Sequence, residues 1–495
     1  MEDLVDLKPA RVRFAPSPTG HMHLGSARTA LYNYLLAKKT GGKFILRIED
    51  TDQKRYVPSA EQELIDGLRW LGLEYDEGPD IGGPYGPYRQ TERKAIYDEY
   101  IQKLIDKGSA YPCFCTPERL AAVREEQMKN KVQPRYDGHC RGMDPGEAQK
   151  RVDSGEKHVI RFRMPKEGKT TVSDHLRGEI TVENTTLDDS VLIKSDGWPT
   201  YHFAAMVDDH LMEITHVFRG SEWLGTFPLH ANIIRAFGWQ EPVWVHLSVF
   251  LKPSGKGKMS KREKEDAIKD GYSIFVTGMS ELGFIPEGLN NWTALMGWGA
   301  GETEDVLTLS EMIDKFDIDK LNASPAAINF ARLDHFNGEH IRRLEAWDLA
   351  KRIRPYLERE GLVVDEGKLQ MIIPIIRERL VTLDDCVPFA AWFFKEVATP
   401  PAEDLLPKGM AAQQVKQMGA EVLEILKGLP AFSHSTVEEP MRKYIEEKQL
   451  SPNQVFGFLR VAISGQKVSP PLFESMEIVG RDTVLARVAR AVDSL

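Results

Sequence analysis

Cysteine is scarce in this chain. There are four in 495 residues, three of them gathered at Cys113, Cys115 and Cys140. So few thiols build no disulfide framework and point to a reducing compartment. Long apolar runs are also missing; none approaches the ~18 residues of a membrane span, so no membrane partner is expected. The first residues, Met1–Asp6, start acidic. They lack the basic-then-apolar profile of a secretory signal and the Arg-rich profile of a transit peptide, so a cytoplasmic location is expected. Excess positive charge is absent too, the net being −10. That total does not exclude a nucleic-acid partner, because phosphate binding needs positive charge locally.

What is present is ordinary for a soluble globular protein: 42% hydrophobic and 28% charged residues. At roughly 100–200 residues per domain, the length predicts about three to five domains. Arg11–Phe14 reads as a strand running into the loop Ala15-Pro16-Ser17-Pro18-Thr19-Gly20. Leu24, Ala27, Leu31, Tyr34 and Leu35 recur with helical period before Gly41 and Gly42. Phe44–Asp50 is a second strand. Ser59 followed by Gln62 resembles a capping box opening a helix that Gly72 ends. Strand, helix, strand, helix at this spacing predicts a parallel α/β sheet, whose ligands sit beyond the C-terminal strand ends. Pro16–Gly20 and Glu49–Asp52 fall there. From 96 to 199 the pattern breaks into charged helices and short strands such as Val159–Arg163, an apparent α+β insertion. Sheet-like character returns near Tyr201 and includes Val243–Leu251. From about 325 onward helices dominate.

Two constellations carry chemistry. His21-Met22-His23-Leu24-Gly25-Ser26 stands between a strand end and a helix start. A helix N-terminus offers unpaired N–H groups and a positive dipole end to phosphate. Gly25 would admit a nucleotide close to the backbone, and His23 could donate to a phosphate oxygen. Lys252–Arg262 packs five cations into eleven residues of a Gly-rich loop after an apolar strand. Lysines are point charges suited to phosphate. Taken alone, each also reads as an ordinary loop.

Together they carry a resemblance. Lys258-Met259-Ser260-Lys261-Arg262 resembles the second signature of class I aminoacyl-tRNA synthetases, and His23-Leu24-Gly25-Ser26 resembles the first. Ser26, where many class I enzymes have a second histidine, is similar to the bacterial-type glutamyl branch. So are Arg13–Gly20, Arg47–Asp52, Gly197–His202 and Val207–His210. The resemblance implies a Rossmann-type parallel-sheet catalytic domain at 10–95 plus 200–246. It implies an inserted acceptor-binding domain at 96–199, a signature-loop and tRNA stem-contact domain at 247–335, and an all-α anticodon-binding region at 336–495.

The implied activity is ATP-dependent ligation of L-glutamate to tRNA(Glu) through glutamyl-adenylate, with Mg²⁺ neutralising phosphate charge. No enzyme nucleophile is required; positioning and charge stabilisation suffice. By resemblance His23, Lys258, Lys261 and Arg262 are catalytic. Gly25, Ser260, Glu222 at the ribose and the Leu251 backbone at the adenine complete the ATP site. Glutamate needs two cationic contacts and one anionic contact. Arg13 and Arg219 supply the cations, Glu49 takes the ammonium with Ser17 and the Ala15 backbone, and Tyr201 donates to the side-chain carboxylate. Ala205 departs from a family asparagine that faces the amino acid.

Cys113, Cys115 and Cys140 resemble a zinc knuckle. A structural site wants four ligands, and Gly142 occupies a relative's fourth position, so Tyr136 or His139 completes the site or the thiols are merely structural. Cys386 reads as core. Arg379 aligns with an arginine that reads the last anticodon base, or is a solvated helix charge. A monomer is expected. The alternatives are an enzyme that also glutamylates tRNA(Gln), a glutaminyl-tRNA synthetase, and an inactive RNA-binding relative; intact signatures and the helical tail count against the last two.

Overall fold

A computed structural model describes residues 8–257, 271–300 and 305–495. It divides into two compact units, Met1–Met279 with Asn290–Phe330, and Ser280–Leu289 with Ala331–Leu495. Lys258, Ser260, Lys261 and Arg262 lie outside the described residues.

In the first unit, β1 (Arg11–Phe14) buries Val12 and Phe14 completely or nearly so. The helix α1 (Leu24–Lys39) follows and covers it with Leu24, Ala27, Leu31 and Leu35. Gly41, at φ +65°, ends the helix in a conformation side chains disfavour. Gly42 permits a close approach, since a Cβ there would collide with the Ala10 carbonyl. The chain then returns as β2 (Lys43–Leu46), parallel to β1 with Arg13 opposite Ile45. This strand is shorter than the predicted Phe44–Asp50, because beyond Leu46 the chain no longer runs as a ladder. The helix α2 (Ala60–Trp70) starts where expected, but Ser59 is already helical (φ −76°, ψ −20°) and makes no side-chain cap. The Ser59–Gln62 capping box is therefore not formed.

The helix α3 (Lys94–Asp106) leads to β3 (Ala110–Cys113), then α4 (Pro117–Lys129), α5 (Pro145–Asp153), β4 (Val159–Phe162), β5 (Lys169–Asp174), β6 (Gly178–Glu183) and β7 (Val191–Ile193). Strands β3, β4 and β7 form an antiparallel sheet of their own. The hairpin β5–β6 does not join it, although it lies within the segment 96–199. It pairs through Asp174 with Trp244 in another sheet, ordered β6-β5-β9-β8. The other members follow α6 (Tyr201–Leu211): β8 (His216–Gly220), α7 (Phe227–Phe237) and β9 (Val243–Leu247), with β8 and β9 parallel. The Thr215 amide donates to the Arg11 carbonyl at 2.9 Å, tying this sheet to β1. The predicted strand Val243–Leu251 breaks at Ser248 and resumes as β10 (Phe250–Leu251), which pairs with β11 (Ala326–Ala327).

The second unit is helical, with no strand among its described residues. Leu349, Ala350, Ile353 and Leu357 make one buried stripe on the helix Ala346–Arg359, and Val415, Met418, Val422 and Leu426 another on Ala412–Gly428. This is the spacing of a helix with one apolar face. Cys386 is fully buried among these side chains, as read from the sequence. Arg487 is buried here and donates to the Ile463 and Lys395 carbonyls at 2.7 and 3.0 Å, so its charge rests on backbone dipoles.

Candidate active site

The C-terminal ends of β1, β2 and β8 open on a cleft of about 830 Å³. Its wall includes Arg13, Ala15, Ser17, His23, Gly25, Glu49, Tyr201, Arg219 and Glu222. The fold thus collects nine predicted site residues from segments up to about 200 positions apart, where parallel sheets bind ligands. Leu251 stands outside the wall; Ser248, Val249 and Phe250 line it instead, and the Leu251 carbonyl accepts the Ile328 amide at 3.1 Å. Ala205 is fully buried on α6 and does not line the cleft.

His23 caps α1. Its Nδ1 accepts the Gly25 amide at 3.1 Å, so a neutral ring carries its proton on Nε2, a donor. The helix start is held by a short bridge, the Leu24 amide donating to the Ile274 carbonyl at 3.0 Å and the Val276 amide to the Met22 carbonyl at 3.0 Å. Opposite, the Glu49 amide donates to the Pro16 carbonyl at 3.0 Å, which fixes the Ala15–Ser17 loop against the β2 continuation.

Beneath the cleft lies a buried charge network. Arg13 donates through Nε and Nη2 to Asp209 at 3.0 and 3.3 Å. Arg47, wholly buried, reaches Asp209 at 2.7 Å and Glu49 at 3.1 Å. Arg93 donates to Asp208 at 2.7 Å, and Gln90 and Tyr97 complete that carboxylate at 2.8 and 2.9 Å. Buried charges survive only when paired and hydrogen-bonded, and here three arginines meet three carboxylates. Burial pushes Glu49 up to about 7, against the pull of Arg47 and Arg13. Asp209 stays below the usual carboxylate range, since Arg13 and Arg47 outweigh its burial.

Arg219 is bound differently. Its Nε donates to His246 Nε2 at 2.8 Å and its Nη1 to His230 Nδ1 at 2.7 Å. The guanidinium lies 4.4 Å from the Trp244 ring centroid. Nη2 is buried without a hydrogen-bond partner among the described residues. Tyr201 packs against Trp223 with ring centroids 4.2 Å apart and planes tilted by 32°. Asp209, Arg47, His230, His246 and Trp223 were assigned no role from sequence. The adjacent Asp208-Asp209 in an apolar helix and the histidine inside Val243–Leu247 were the available signals, because polar residues on such segments need buried partners.

Away from the cleft, the Sγ atoms of Cys113, Cys115 and Cys140 lie within 4.8 Å of one another. The Tyr136 hydroxyl is 3.3 Å from Cys113 Sγ and 3.7 Å from Cys115 Sγ, and Cys115 and Cys140 are 3.6 Å apart. His139 is exposed and outside the cluster. Arg119 Nη1 sits 3.4 Å from Cys115 Sγ, and Arg161 lies 4.0 Å from the Tyr136 ring centroid. In the helical unit Arg379 is exposed on a short turn, Arg377–Arg379, with its guanidinium 5.7 Å from the Phe389 centroid.

A parallel α/β core with a histidine capping the helix that follows its first strand, and an α+β insertion, is the architecture of class I tRNA synthetase catalytic units. Residues 9–335 match the model of the tRNA synthetases class I (E and Q) catalytic domain, and 348–492 match an anticodon binding domain. The chain belongs to this family, and its full-length relatives include glutamate–tRNA ligases. It is 40% identical to glutamate–tRNA ligase 1 of Syntrophomonas wolfei over 98% of this chain and 96% of that one. It is 41% identical to the glutamate–tRNA ligase of Chloroflexus aurantiacus over 98% of each. A crystal structure of a glutamate tRNA ligase from Elizabethkingia meningosepticum, in complex with its amino acid, superposes with a TM-score of 0.91 at 36% identity. It spans 99% of this chain and 100% of its own.

Proposed function

We propose that this chain ligates L-glutamate to tRNA(Glu) in two steps. The glutamate α-carboxylate attacks the α-phosphorus of ATP and pyrophosphate leaves; the terminal ribose hydroxyl of the tRNA then attacks the glutamyl carbonyl and AMP leaves. The observation that carries this reading is the cleft itself. It sets one carboxylate, Glu49, and two buried arginines, Arg13 and Arg219, beside a helix N-terminus capped by His23. That is the complement of an amino-acid dianion with one ammonium, next to a phosphate site. Ser17 and the Ala15 backbone steady the amino end, Tyr201 the side chain, and Gly25, Glu222 and the Ser248–Leu251 segment the nucleotide. Lys258, Lys261 and Arg262 supply charge to the phosphates and Ser260 a hydroxyl donor, and Mg²⁺ neutralises them further. We read the enzyme as a monomer working in the cytoplasm. We read 96–199 as the acceptor-end domain, 247–335 as the stem-contact domain and 336–495 as the anticodon region. Aminoacylation with glutamate and glutamine, each with tRNA(Glu) and tRNA(Gln), tests the reading. Glutamate on tRNA(Glu) is expected; glutamate on both tRNAs would mean a non-discriminating enzyme, and glutamine transfer would overturn the reading.

The thiol cluster fits zinc. With Zn–S of ~2.3 Å and Zn–O of ~2.0 Å, tetrahedral edges are ~3.8 Å for S···S and ~3.5 Å for S···O. The Cys115–Cys140 distance of 3.6 Å and the Tyr136 distances of 3.3 and 3.7 Å to Cys113 and Cys115 match such edges and support Cys113, Cys115, Cys140 and Tyr136 as ligands, with Arg119 and Arg161 offsetting the excess negative charge.

A further inference from the structure

The two cleft arginines are both about 5% exposed or less, yet their surroundings differ in charge. Arg13 is ion-paired directly with the Asp209 carboxylate, which it shares with Arg47. Arg219 makes no ion pair among the described residues; both of its hydrogen-bonding nitrogens end on imidazoles. Hydrogen-bond logic fixes the state of those rings. His246 Nε2 accepts from Arg219, so its proton sits on Nδ1 and is donated to Asp174 Oδ2 at 2.7 Å. His230 Nδ1 accepts from Arg219, so its proton sits on Nε2 and is donated to His202 Nδ1 at 2.9 Å. Protonating either ring would turn its acceptor into a donor facing a cation. Both rings are fully buried, and burial with the adjacent cation keeps both below the usual histidine range. The carboxylate nearest in this chain of bonds, Asp174, is held one imidazole away from the guanidinium.

We propose that His246 and His230 are positioning residues that set side-chain specificity in the amino-acid pocket. As neutral acceptors they orient the Arg219 guanidinium without cancelling its charge, leaving Nη2 for an incoming carboxylate. A buried cation with no counter-ion favours an anionic side chain; a carboxamide offers an oxygen but no charge to offset the burial. Had a carboxylate held Arg219, as Asp209 holds Arg13, this preference would be spent inside the protein. The inference rests on the reading that Arg219 receives the amino acid.

The test is a pair of variants differing only in charge. Asparagine places its side-chain oxygen near the position of Nδ1, and aspartate adds one negative charge to the same shape. His230→Asn and His230→Asp both lose the bond to His202. Pyrophosphate exchange in the presence of tRNA is measured with glutamate and glutamine for wild type and both variants, alongside melting curves. His230→Asn is expected to keep most of the glutamate preference. His230→Asp should raise the glutamate KM by roughly tenfold or more, the scale of a buried charge contact. It should narrow the glutamate-to-glutamine ratio while the ATP KM stays within about twofold. Equal glutamate KM and equal ratio in the two variants would overturn the proposal. If His230→Asp melts well below His230→Asn, the comparison moves to His246→Gln and His246→Glu, whose side-chain oxygens approach the Nε2 position, with the same criteria. Failure of the proposed function would look different, since the wild-type chain would then not activate glutamate at all.

Discussion

Glu49 is the residue whose protonation decides most in the cleft. Its folded-state pKa, about 7, is above that of an unfolded carboxyl because burial penalises the charge. The native state therefore holds a proton the unfolded chain would release. Its stability contribution is complete below the unfolded carboxyl range and is lost as pH rises through about 7. Substrate binding runs the opposite way, since the ammonium needs the carboxylate. The glutamate KM should fall between about pH 6 and about pH 8 and level off above. Pyrophosphate exchange across that range checks this; a flat KM would mean that Glu49 is already ionised at the acid end. Lys261→Ala should cost roughly 10²–10³ in kcat for adenylate formation with smaller effects on KM, as removing one charge-stabilising donor does. Single-turnover rates near wild type would remove Lys261 from that role.

At the scale of elements, two N-termini that look alike in sequence behave differently. Thr308 and Glu311 make a full capping box, with the Glu311 amide on Thr308 Oγ1 at 3.2 Å and the Thr308 amide on Glu311 Oε2 at 2.7 Å. Ser59 makes none. Thr308→Ala should cost about 1 kcal/mol of helix stability and lower the melting temperature, whereas Ser59→Ala should leave it unchanged. Equal shifts would contradict the cap geometry. The cysteine knuckle, built on the end of β3 and the turn before α5, is an element of its own. Protein stripped of metal and refilled should carry close to one zinc per chain, falling in Tyr136→Phe but not in His139→Ala. A wild-type value near zero would leave three structural thiols. The spacing of cysteines was legible from sequence, but the choice between Tyr136 and His139 was not. Both lie within a few residues of Cys140, and only the turn directs one hydroxyl inward and leaves the imidazole in solvent.

At the scale of the molecule, the second unit is where tRNA choice is expected to be made. Arg379 is exposed and can meet an unstacked base. A guanidinium donates to the O2 and N3 acceptors of cytosine, the last anticodon base of tRNA(Glu), whereas the matching edge of guanine in tRNA(Gln) carries N–H donors. A discrimination of about 1–3 kcal/mol is the scale of such a contact. Arg379→Gln should raise kcat/KM for tRNA(Gln) relative to tRNA(Glu) with adenylate formation intact. An unchanged ratio would make Arg379 a solvated charge.

The parallel α/β character, the helix start at His23, the all-helical tail and nine residues of the cleft wall were legible in the sequence. These rest on local signals: hydrophobic period, glycine stops and short blocks whose residue types are dictated by phosphate and carboxylate chemistry. Its errors fell where a local signal meets a tertiary demand. The strand read as Val243–Leu251 is interrupted at Ser248, whose carbonyl accepts a bond from the buried Arg28. The hairpin β5–β6 belongs to the sheet of β8 and β9, where Asp174 pairs with Trp244 and meets the buried His246 ring. Ala205, on the same helix as Tyr201 and Asp209, faces the core. Which arginine meets a carboxylate and which meets imidazoles was not legible in the sequence. Arg13 and Arg219 are the same residue type at similar strand positions, and their partners, Asp209 on α6 and the imidazoles of α7 and β9, come from segments that sequence spacing cannot relate.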